Sequence, residues 1–505
     1  MKIFRKVLKG LLRTSLLIIA VVFLAWIEIR ASRAYYRRAA LQPPANFIVE
    51  QAPVIALTHA RVIDGTGAPE FEDQTVLLES GKITAFGASS SVKVPNGARE
   101  LNLSGKTLLP GLVMLHEHLF TTSSELSAAL RGIPKLLEQS GPFPLMYLAA
   151  GVTTMRTAGS IDPDADLALK RAIDSGERPG PDIFLTAPYL EGKPSSDSAP
   201  YYYPQMRQLT DPADAIRSVD YWASRGMTSF KAYQNITPDE LRAAIDEAHR
   251  KNLKITGHLC SVGFTEAADL GIDNLEHGIL VDEEFYPDKH RAICPDFAKA
   301  AEFFNAELAV SSPQVHAMIR HLVERNVAVT STLAVDEDFA GHSQPLSEME
   351  NREHRALGWR SWLMYRMIRS HFEKQPITHL LEKEMQFERD FAGAGGLLLG
   401  GADPTGDGGT LAGYGDQREI ELLVLAGFSP EQAIHICTSN GAEFLGRGAQ
   451  IGTIAVGKQA DLFIVRGDPS RNISDIRNVE LVFRRGVGYS SSKLFGAVRG
   501  LVGVD

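Results

Sequence analysis

The chain has 505 residues, of which 44% are apolar and 22% are charged, a composition that excludes a disordered or fibrous protein. Its length predicts one large hydrophobic core and a smaller one. The net charge of -9 argues against nucleic acid as a partner, because phosphate binding needs a basic face. Three scattered cysteines predict neither a disulfide framework nor a thiolate zinc site, so we expect the core to hold the fold.

Residues 1–40 have the features of an export signal. Residues 1–38 contain nine Lys or Arg and one acid, and residues 16–27 form a continuous apolar run. A spanning helix needs about 20 apolar residues, so this run fits a signal peptide better. The basic residues before the run argue against the alternative, a buried core helix. We expect export, with the segment cleaved or kept as a membrane anchor. The folded part would then be periplasmic, or held at the inner membrane facing the periplasm.

Both ends of the remaining chain are rich in short β-branched runs separated by glycine. Residues 53–106 include the runs 75–78 and 82–85, and residues 446–490 include the run 460–465. Such runs are typical of strands joined by tight turns. Because an isolated hairpin is not stable, the two ends are predicted to pair into one small β-sandwich domain.

Residues 107–445 alternate strand-like apolar runs with helical segments. Residues 237–240 (TPDE) and 429–432 (SPEQ) have the capping-box pattern with proline at the first helical position. The segment contains eight strand–helix units, the number in a (β/α)8 TIM barrel. A doubly wound open sheet is the competing architecture, but no Gly-x-Gly-x-x-Gly follows the first strand. The predicted fold class is α/β, a (β/α)8 TIM barrel with a small β-sandwich built from both chain ends.

The segment PGLVMLHEH, residues 110–118, carries the sharpest local signal. Residues two apart on a strand share a face, so His116 and His118 point one way and Glu117 the other. Two imidazoles at the carboxyl end of a barrel strand can chelate a metal ion. Four more polar groups end the apolar runs of strands four, five, six and eight: Lys231, His258, His277 and Asp403. Together the six groups predict a metal centre.

These motifs resemble those of the amidohydrolase superfamily of metal-dependent hydrolases. The resemblance extends over residues 54–488 and rests on PGLVMLHEH, GVTTMRTAG, SFKAY, TGHL, GIDNLEHG, GGADP and IGTIAVGKQADLFIV. The strand-four lysine, followed two residues later by Tyr233, is similar to the imidazolonepropionase-like branch, which includes Xaa-Pro dipeptidases. Two positions depart from the family pattern: Met114 stands where an aspartate is usual, and Ala402 stands where a threonine is usual.

The resemblance implies a binuclear metal-dependent enzyme whose metal-bridging hydroxide cleaves the amide bond of a dipeptide or an N-acyl amino acid. Lys231 would be carboxylated by CO2 and would bridge two divalent ions, with Zn2+ suited to the ligand set. Asp403 would carry the proton from water to the leaving amine, and Tyr233 would donate a hydrogen bond to the substrate. The implied ligands are His116, His118 and Asp403 for one ion, and His258 and His277 for the other.

Two other functions stay open at this point. A mononuclear cyclic-amide hydrolase or deaminase has no use for a bridging group, so Lys231 argues against it. A non-enzymatic scaffold is expected to lack ligands, whereas all six are present. The expected partner is a small-molecule substrate, and Tyr201, Tyr202 and Tyr203 are loop candidates for its pocket. The sequence leaves open whether the chain forms a homo-oligomer.

Overall fold

The structure, a computed structural model, describes residues 20, 23, 42–122, 136–194, 206–340, 355–359, 361–363, 365–366, 378–404 and 409–503. Apart from two isolated positions, the predicted export signal in residues 1–40 lies outside this part of the chain, as do Tyr201, Tyr202 and Tyr203. None of the helices that the structure describes is long and apolar enough to cross a membrane.

The strands and helices follow one another in the order expected of an α/β protein. The strands are β1 (Ile48–Glu50), β2 (Val54–Val62), β3 (Phe71–Glu79), β4 (Lys82–Ala88), β5 (Arg99–Asn102), β6 (Lys106–Pro110), β7 (Leu112–Glu117), β8 (Phe120–Thr122), β9 (Leu136–Glu138), β10 (Val152–Thr157), β11 (Asp182–Phe184), β12 (Ser229–Ala232), β13 (Lys254–Gly257), β14 (Asn274–Glu276), β15 (Ala328–Ser331), β16 (Leu398–Gly400), β17 (Leu462–Arg466), β18 (Val479–Arg484) and β19 (Val487–Ser490). The α-helices are α1 (Phe143–Ala150), α2 (Pro163–Asp174), α3 (Pro212–Ser224), α4 (Pro238–Arg250), α5 (Phe264–Leu270), α6 (Phe297–Ala306), α7 (Pro313–Glu324), α8 (Leu333–Ala340), α9 (Thr378–Gly393), α10 (Tyr414–Ala426), α11 (Pro430–His435), α12 (Gly441–Phe444) and α13 (Ser491–Ala497).

Strands from both ends of the chain form one nine-stranded sheet. Its order is β1-β19-β18-β17-β6-β2-β3-β4, with β5 beside β2. The two ends meet where β17 pairs antiparallel with β6 on one side and with β18 on the other. Leu57, Leu108 and Phe483 are fully buried in the core of this sheet. The predicted pairing of the two ends is present, and it also includes residues 48–50 and 106–110. Within the described residues these strands form a single sheet, so a two-sheet sandwich is not confirmed.

Eight parallel strands carry the middle of the chain. β7, β10 and β11 form one sheet in the order β11-β10-β7, and β12 to β16 form another in chain order. Backbone hydrogen bonds cross both gaps between these sheets: Ala187 N donates to Ser229 O, and Asp403 N donates to His116 O, each at 3.0 Å. The eight predicted strands are therefore present in the predicted order. Strand pairing is not continuous around all eight in the described residues, so a closed barrel is not shown.

Local sequence explains where the helices begin. Before α4, the Thr237 hydroxyl accepts a hydrogen bond from Glu240 N, and the Glu240 carboxylate accepts one from Thr237 N. Ser429 and Gln432 form the same reciprocal pair before α11. These bonds satisfy backbone N–H groups that the first helical turn leaves without partners. Both predicted capping boxes are confirmed.

One prediction about the cysteines is wrong. Cys260 and Cys294 form a disulfide with their Cα atoms 5.1 Å apart, and Cys437 is free and buried. The two partners are separated by 34 residues. They meet because the loop after β13 packs beside the segment that follows β14, a contact between loops that cysteine spacing does not reveal.

Candidate metal centre

Five strands place the six predicted ligands at one edge of the parallel sheets. His116 lies in β7 and Lys231 lies in β12. The others follow their strands within three residues: His118 after β7, His258 after β13, His277 after β14 and Asp403 after β16. Because the carboxyl ends of parallel strands meet at the same edge, these side chains converge although they are far apart in sequence.

The tightest group consists of His116, His118 and Asp403, whose ligand atoms lie within 4.8 Å of one another. Asp403 Oδ1 is 3.0 Å from His118 Nε2 and 3.7 Å from His116 Nε2. The two imidazoles are buried, and the Asp403 side chain is 13% exposed. Two imidazole nitrogens and a carboxylate are the donors that Zn2+ commonly takes in catalytic sites.

The other three predicted ligands adjoin this group. Lys231 Nζ lies 3.2 Å from His116 Nε2, and His277 Nε2 lies 3.8 Å from Asp403 Oδ2. The rings of His258 and His277 have centroids 4.6 Å apart. The six residues therefore form one continuous cluster with two halves. One half is His116, His118 and Asp403; the other is Lys231, His258 and His277. His116 and Asp403 make the contacts between them.

Two of these residues have a backbone conformation that non-glycine residues rarely adopt. His277 has φ 65° and Asp403 has φ 49°, both in the left-handed region. Such a conformation costs about 1–3 kcal/mol and persists where surrounding contacts enforce it, which is common at functional sites. Both residues lie just beyond a strand end, where the chain must turn.

Burial keeps the imidazoles of the cluster neutral. It lowers the pKa of His116 to about 4, and the nearby Lys231 adds to the effect. Burial also lowers the pKa of His258 and His277 well below the ordinary value of 6.5. Neutral imidazole is the form that binds a metal ion, so the histidines are ready to act as ligands at neutral pH.

The pKa values of Lys231 and Asp403 are both lower than usual, and each shift suits the predicted role of its residue. Burial lowers the pKa of Lys231 to about 8, although Glu276 and Asp403 oppose it. A substantial share of the amine is therefore neutral near that pH, and the neutral amine is the form that reacts with CO2. Burial alone would raise the pKa of Asp403, but His116 and His118 hold it well below its ordinary value. Asp403 is therefore a carboxylate at neutral pH.

A buried network beneath the cluster orients His116. His116 Nδ1 donates to Glu276 Oε2 at 2.7 Å, which leaves Nε2 to face the other ligands. Arg156 Nη2 donates to Glu276 Oε1 at 2.8 Å and to Asn274 Oδ1 at 3.0 Å. On the other side, His277 Nδ1 and Thr332 Oγ1 are 2.8 Å apart.

Sequence reasoning did not find these supporting residues. Arg156 is the one charged residue in the strand run VTTMRT, residues 152–157. A buried guanidinium needs a carboxylate partner, so this arginine was the sequence signal for a buried ion pair. Glu276 ends β14 and directly precedes His277, so strand alternation by itself would point the two side chains to opposite faces. Its identity as the partner of His116 follows only from the fold.

Tyr233 lies where the sequence predicts it, beside the cluster. Its ring centroid is 5.0 Å from that of His258 and 4.9 Å from that of Tyr189. Lys231 Nζ in turn lies 5.9 Å from the centroid of the Tyr189 ring. Tyr189, which sequence reasoning missed, therefore covers the predicted bridging residue from one side.

Tyr189 belongs to an apolar group of side chains beside the cluster, and we name this group the apolar wall. The ring of Phe120 lies 4.5 Å from the ring of His118. Tyr233 packs against the wall, all of whose members are buried: Phe120, Leu136, Tyr189 and Met206. On this side, apolar side chains border the cluster, so it would favour contact with an apolar group over a charged one.

The two departures from the family pattern leave the ligands in place. Met114 is fully buried in the hydrophobic core. Ala402 has no hydroxyl, but its backbone N donates to Glu117 Oε1 at 3.0 Å and ties the chain before Asp403 to β7. A second group of ligand-type residues, Cys260, Glu283 and Cys294, also lies within 4.8 Å, but the disulfide occupies both sulfur atoms.

The amidohydrolase family model matches residues 107–356 and 401–487, which include every predicted ligand. The chain belongs to the amidohydrolase family, and it is a hydrolase that acts on carbon–nitrogen bonds. A comparison with curated proteins gives no significant match.

Several solved structures have a similar fold. A protein from Bifidobacterium longum assigned as a prolidase is 25% identical, with a TM-score of 0.61 over 87% of this chain and 95% of that one. A Xaa-Pro dipeptidase with methionine bound in its active site is 19% identical, with a TM-score of 0.62 over 86% of this chain and 100% of that one. An A. niger ochratoxinase is 17% identical, with a TM-score of 0.58 over 86% and 95% of the two chains.

Proposed function

We propose that the chain is a binuclear metal-dependent amidohydrolase, built on a closed (β/α)8 barrel, that cleaves the amide bond of a dipeptide or an N-acyl amino acid. The observation that carries the proposal is the continuous cluster of six ligand-type residues in which Lys231 lies against His116. An unmodified ammonium would repel a cation there. A carbamate on the same nitrogen would attract two cations.

The donor set fits two divalent ions, most simply Zn2+. His116, His118 and Asp403 offer two nitrogens and an oxygen, and His258 and His277 offer two further nitrogens. The Nε2 atoms of His118 and His116 both face Asp403 Oδ1, at 3.0 and 3.7 Å, so the three donors of the first group point to the same place. When bound, two such ions would polarise the scissile carbonyl and lower the pKa of a water molecule towards neutrality.

The residues of the chain supply the remaining chemistry. The Lys231 ammonium would release two protons, one to give the neutral amine and one as Nζ forms its bond to the carbon of CO2, so that a cation becomes an anionic carbamate. Asp403 accepts a proton from the attacking water and delivers it to the nitrogen of the leaving amine. Tyr233 donates a hydrogen bond to the substrate carboxylate or to the developing oxyanion. Glu276 holds His116 in one orientation throughout.

The apolar wall supports a substrate with an apolar group beside the scissile bond. It lies against His118 and Lys231, so a group that packs on it is adjacent to the reacting carbonyl. The names of two structural relatives, a prolidase and a Xaa-Pro dipeptidase, fit an amide with a small apolar ring. We therefore place proline-containing dipeptides and apolar N-acyl amino acids first among the candidate substrates.

One observation favours a second candidate, the mononuclear cyclic-amide hydrolase or deaminase. Among the described residues of the parallel sheets, only His116, His118 and Asp403 have all ligand atoms within 4.8 Å of one another. One ion held by this group would suffice for ring opening or deamination. The two candidates differ in metal stoichiometry and in the need for Lys231.

Metal analysis combined with a substrate screen tests the proposal. Purified protein should carry close to two divalent ions per chain and should hydrolyse members of a panel of dipeptides and N-acyl amino acids. Lys231→Ala should lower the metal content and abolish turnover, whereas Lys170→Ala, which removes a surface ion pair with Asp174, should change neither. Full metal content and near-normal turnover in Lys231→Ala would refute the bridging role of Lys231, and a single ion per chain in the active wild type would refute the binuclear centre and favour the second candidate.

We also propose that residues 1–40 direct export to the periplasm or anchor the enzyme at the inner membrane facing it. The basic segment and the apolar run support this, and the Cys260–Cys294 disulfide agrees with an oxidising compartment. A reporter joined after residue 40 should be exported. Its recovery in the cytosol, with none in the membrane or periplasmic fractions, would contradict the proposal.

A further inference from the structure

The disulfide joins the two segments that follow the predicted ligands His258 and His277. Cys260 lies two residues after His258, in the loop between β13 and α5. Cys294 lies in the segment that leads away from His277 after β14. Both cysteines are buried. The covalent bond thus closes a loop of chain, residues 260–294, that contains His277 and begins two residues after His258.

Lys289 reinforces the same junction. Its ammonium donates to Ser261 O at 2.7 Å and to Ile293 O at 2.8 Å. Ser261 is the neighbour of Cys260 in the chain, and Ile293 is the neighbour of Cys294. A covalent bond and an ammonium bridge therefore connect the same two segments side by side, and we name Cys260, Cys294 and Lys289 the clasp.

The loop after β13 has a second attachment on its opposite side. Ser261 N donates to Gln234 O at 2.8 Å, and Ser261 Oγ donates to Ile236 O at 2.6 Å. Gln234 Nε2 lies 3.2 Å from His258 Nε2. The loop that begins with His258 is thus fixed between the end of β12 and the clasp, and its position depends on both attachments.

We propose that the clasp is a positioning element that holds His258 and His277 at the spacing needed for the second metal ion. The inference rests on the binuclear centre of the proposed function. Because the disulfide persists only under oxidising conditions, the second ion is bound tightly only after export. A phosphine reductant opens the clasp: with one water molecule, the disulfide becomes two thiols and the phosphine becomes its oxide.

The test uses the full-length, metal-loaded protein, with and without a phosphine reductant, and measures Zn2+ affinity by competition with a chelator. Reduction should weaken the second ion about 10–100-fold, the usual effect of losing outer support around metal ligands, and should leave the first ion bound. The Cys260→Ser/Cys294→Ser double variant should show the same loss and should no longer respond to the reductant.

Two further variants make the test specific. Cys437→Ala removes the free cysteine that takes no part in the clasp, and it should respond to the reductant as the wild type does. Lys289→Met keeps the disulfide and should weaken the second ion less than the double variant. If the double variant does not fold, the reduced wild type still gives the measurement.

The outcomes separate this inference from the proposed function. Two ions with equal affinity in the oxidised and the reduced protein would overturn the positioning role and leave the binuclear centre standing. An oxidised wild type that never binds more than one ion would overturn the binuclear centre itself, and the clasp inference with it.

Discussion

Asp403 connects the two halves of the ligand cluster. One carboxylate oxygen lies 3.0 Å from His118 Nε2, and the other lies 3.8 Å from His277 Nε2. Its pKa is held well below the ordinary value by His116 and His118, despite burial, so the group is ionised at neutral pH. A carboxylate in this position can be a ligand and a proton carrier at once.

Asp403→Asn separates these two tasks. The amide keeps the size of the side chain and one coordinating oxygen, but it does not accept a proton. We expect metal content to fall modestly and kcat to fall by about 10²–10⁴, the usual contribution of a positioned general base. Steady-state kinetics with parallel metal analysis measures both. An unchanged kcat would mean that another group carries the proton.

Glu276 contacts the cluster through a hydrogen bond with His116. Its two oxygens accept bonds from different donors, His116 Nδ1 on one side and Arg156 Nη2 on the other. The carboxylate is fully buried, so its pairing fixes the ring orientation of His116. Burial alone would raise its pKa, but His116 and Arg156 lower the pKa well below the ordinary value.

Glu276→Gln tests this positioning role. The amide offers one acceptor instead of two, so it can serve His116 or Arg156 but not both. We expect Zn2+ affinity to fall about 10–100-fold, as for other outer partners of metal ligands. Glu247→Gln, which changes a buried carboxylate paired with Arg250 at the far end of α4, should leave Zn2+ affinity unchanged. Equal affinity in wild type and Glu276→Gln would refute the role.

At the scale of elements, the helix starts show how local sequence stabilises the fold. Ser429 caps α11 by accepting a bond from Gln432 N at 3.2 Å, and Ser429 N donates to the Gln432 side chain at 2.8 Å. Helix α11 continues into further helical turns up to Phe444, which pack under β7 and β16. The cap thus supports an element that packs against two strands whose ends carry predicted ligands.

Ser429→Ala should lower the free energy of unfolding by about 1 kcal/mol, because a backbone N–H at the helix start loses its acceptor. Urea unfolding measures the change. Ser429→Thr keeps the hydroxyl and should recover most of the loss. A destabilisation of equal size in both variants would show that the hydroxyl does not act as a cap.

At the scale of the whole molecule, the interior holds many carboxyl groups that burial keeps protonated. Burial raises the pKa of four of them to about 7: Asp166, Glu191, Asp416 and Glu419. Such a group stabilises the fold fully below the pKa of the unfolded chain, and this contribution is lost as the pH rises through the folded pKa. His116 has the opposite sign, since its pKa of about 4 in the folded state lies below the unfolded value.

Glu191→Gln isolates one such carboxyl group. The ordinary pKa of 4.5 rises to about 7 on folding, so the wild type loses about 1.4 kcal/mol of stability per pH unit in this window relative to the variant. A glutamine oxygen can still accept the bond from Asn235 N. Urea unfolding at pH 5, 6 and 7 measures the difference in stability between the wild type and the variant. The contribution of His116 is the same in both proteins and therefore cancels. Parallel pH profiles would show that Glu191 does not change its pKa on folding.

Local rules account for what the sequence predicted correctly. Strand alternation placed His116 and His118 on one face, and the strand-end rule brought Lys231, His258, His277 and Asp403 to the same edge. The helix starts followed from side chains three residues apart. Each of these features depends on neighbours in the chain, so the sequence alone contains the information.

The tertiary structure decided which distant groups meet. Arg156 finds Glu276 across 120 residues, and Cys260 finds Cys294 through the packing of two loops. Tyr189 covers Lys231 only because the segment after β11 runs beside β12, where Leu190 pairs with Ala232. The sequence determined the family, the strand order and the six residues predicted as ligands. The residues that hydrogen-bond to or pack against these six depend on packing across the sheets. Many side chains have the right type and spacing in the sequence to be such a partner, and only shape and burial in the folded chain select one.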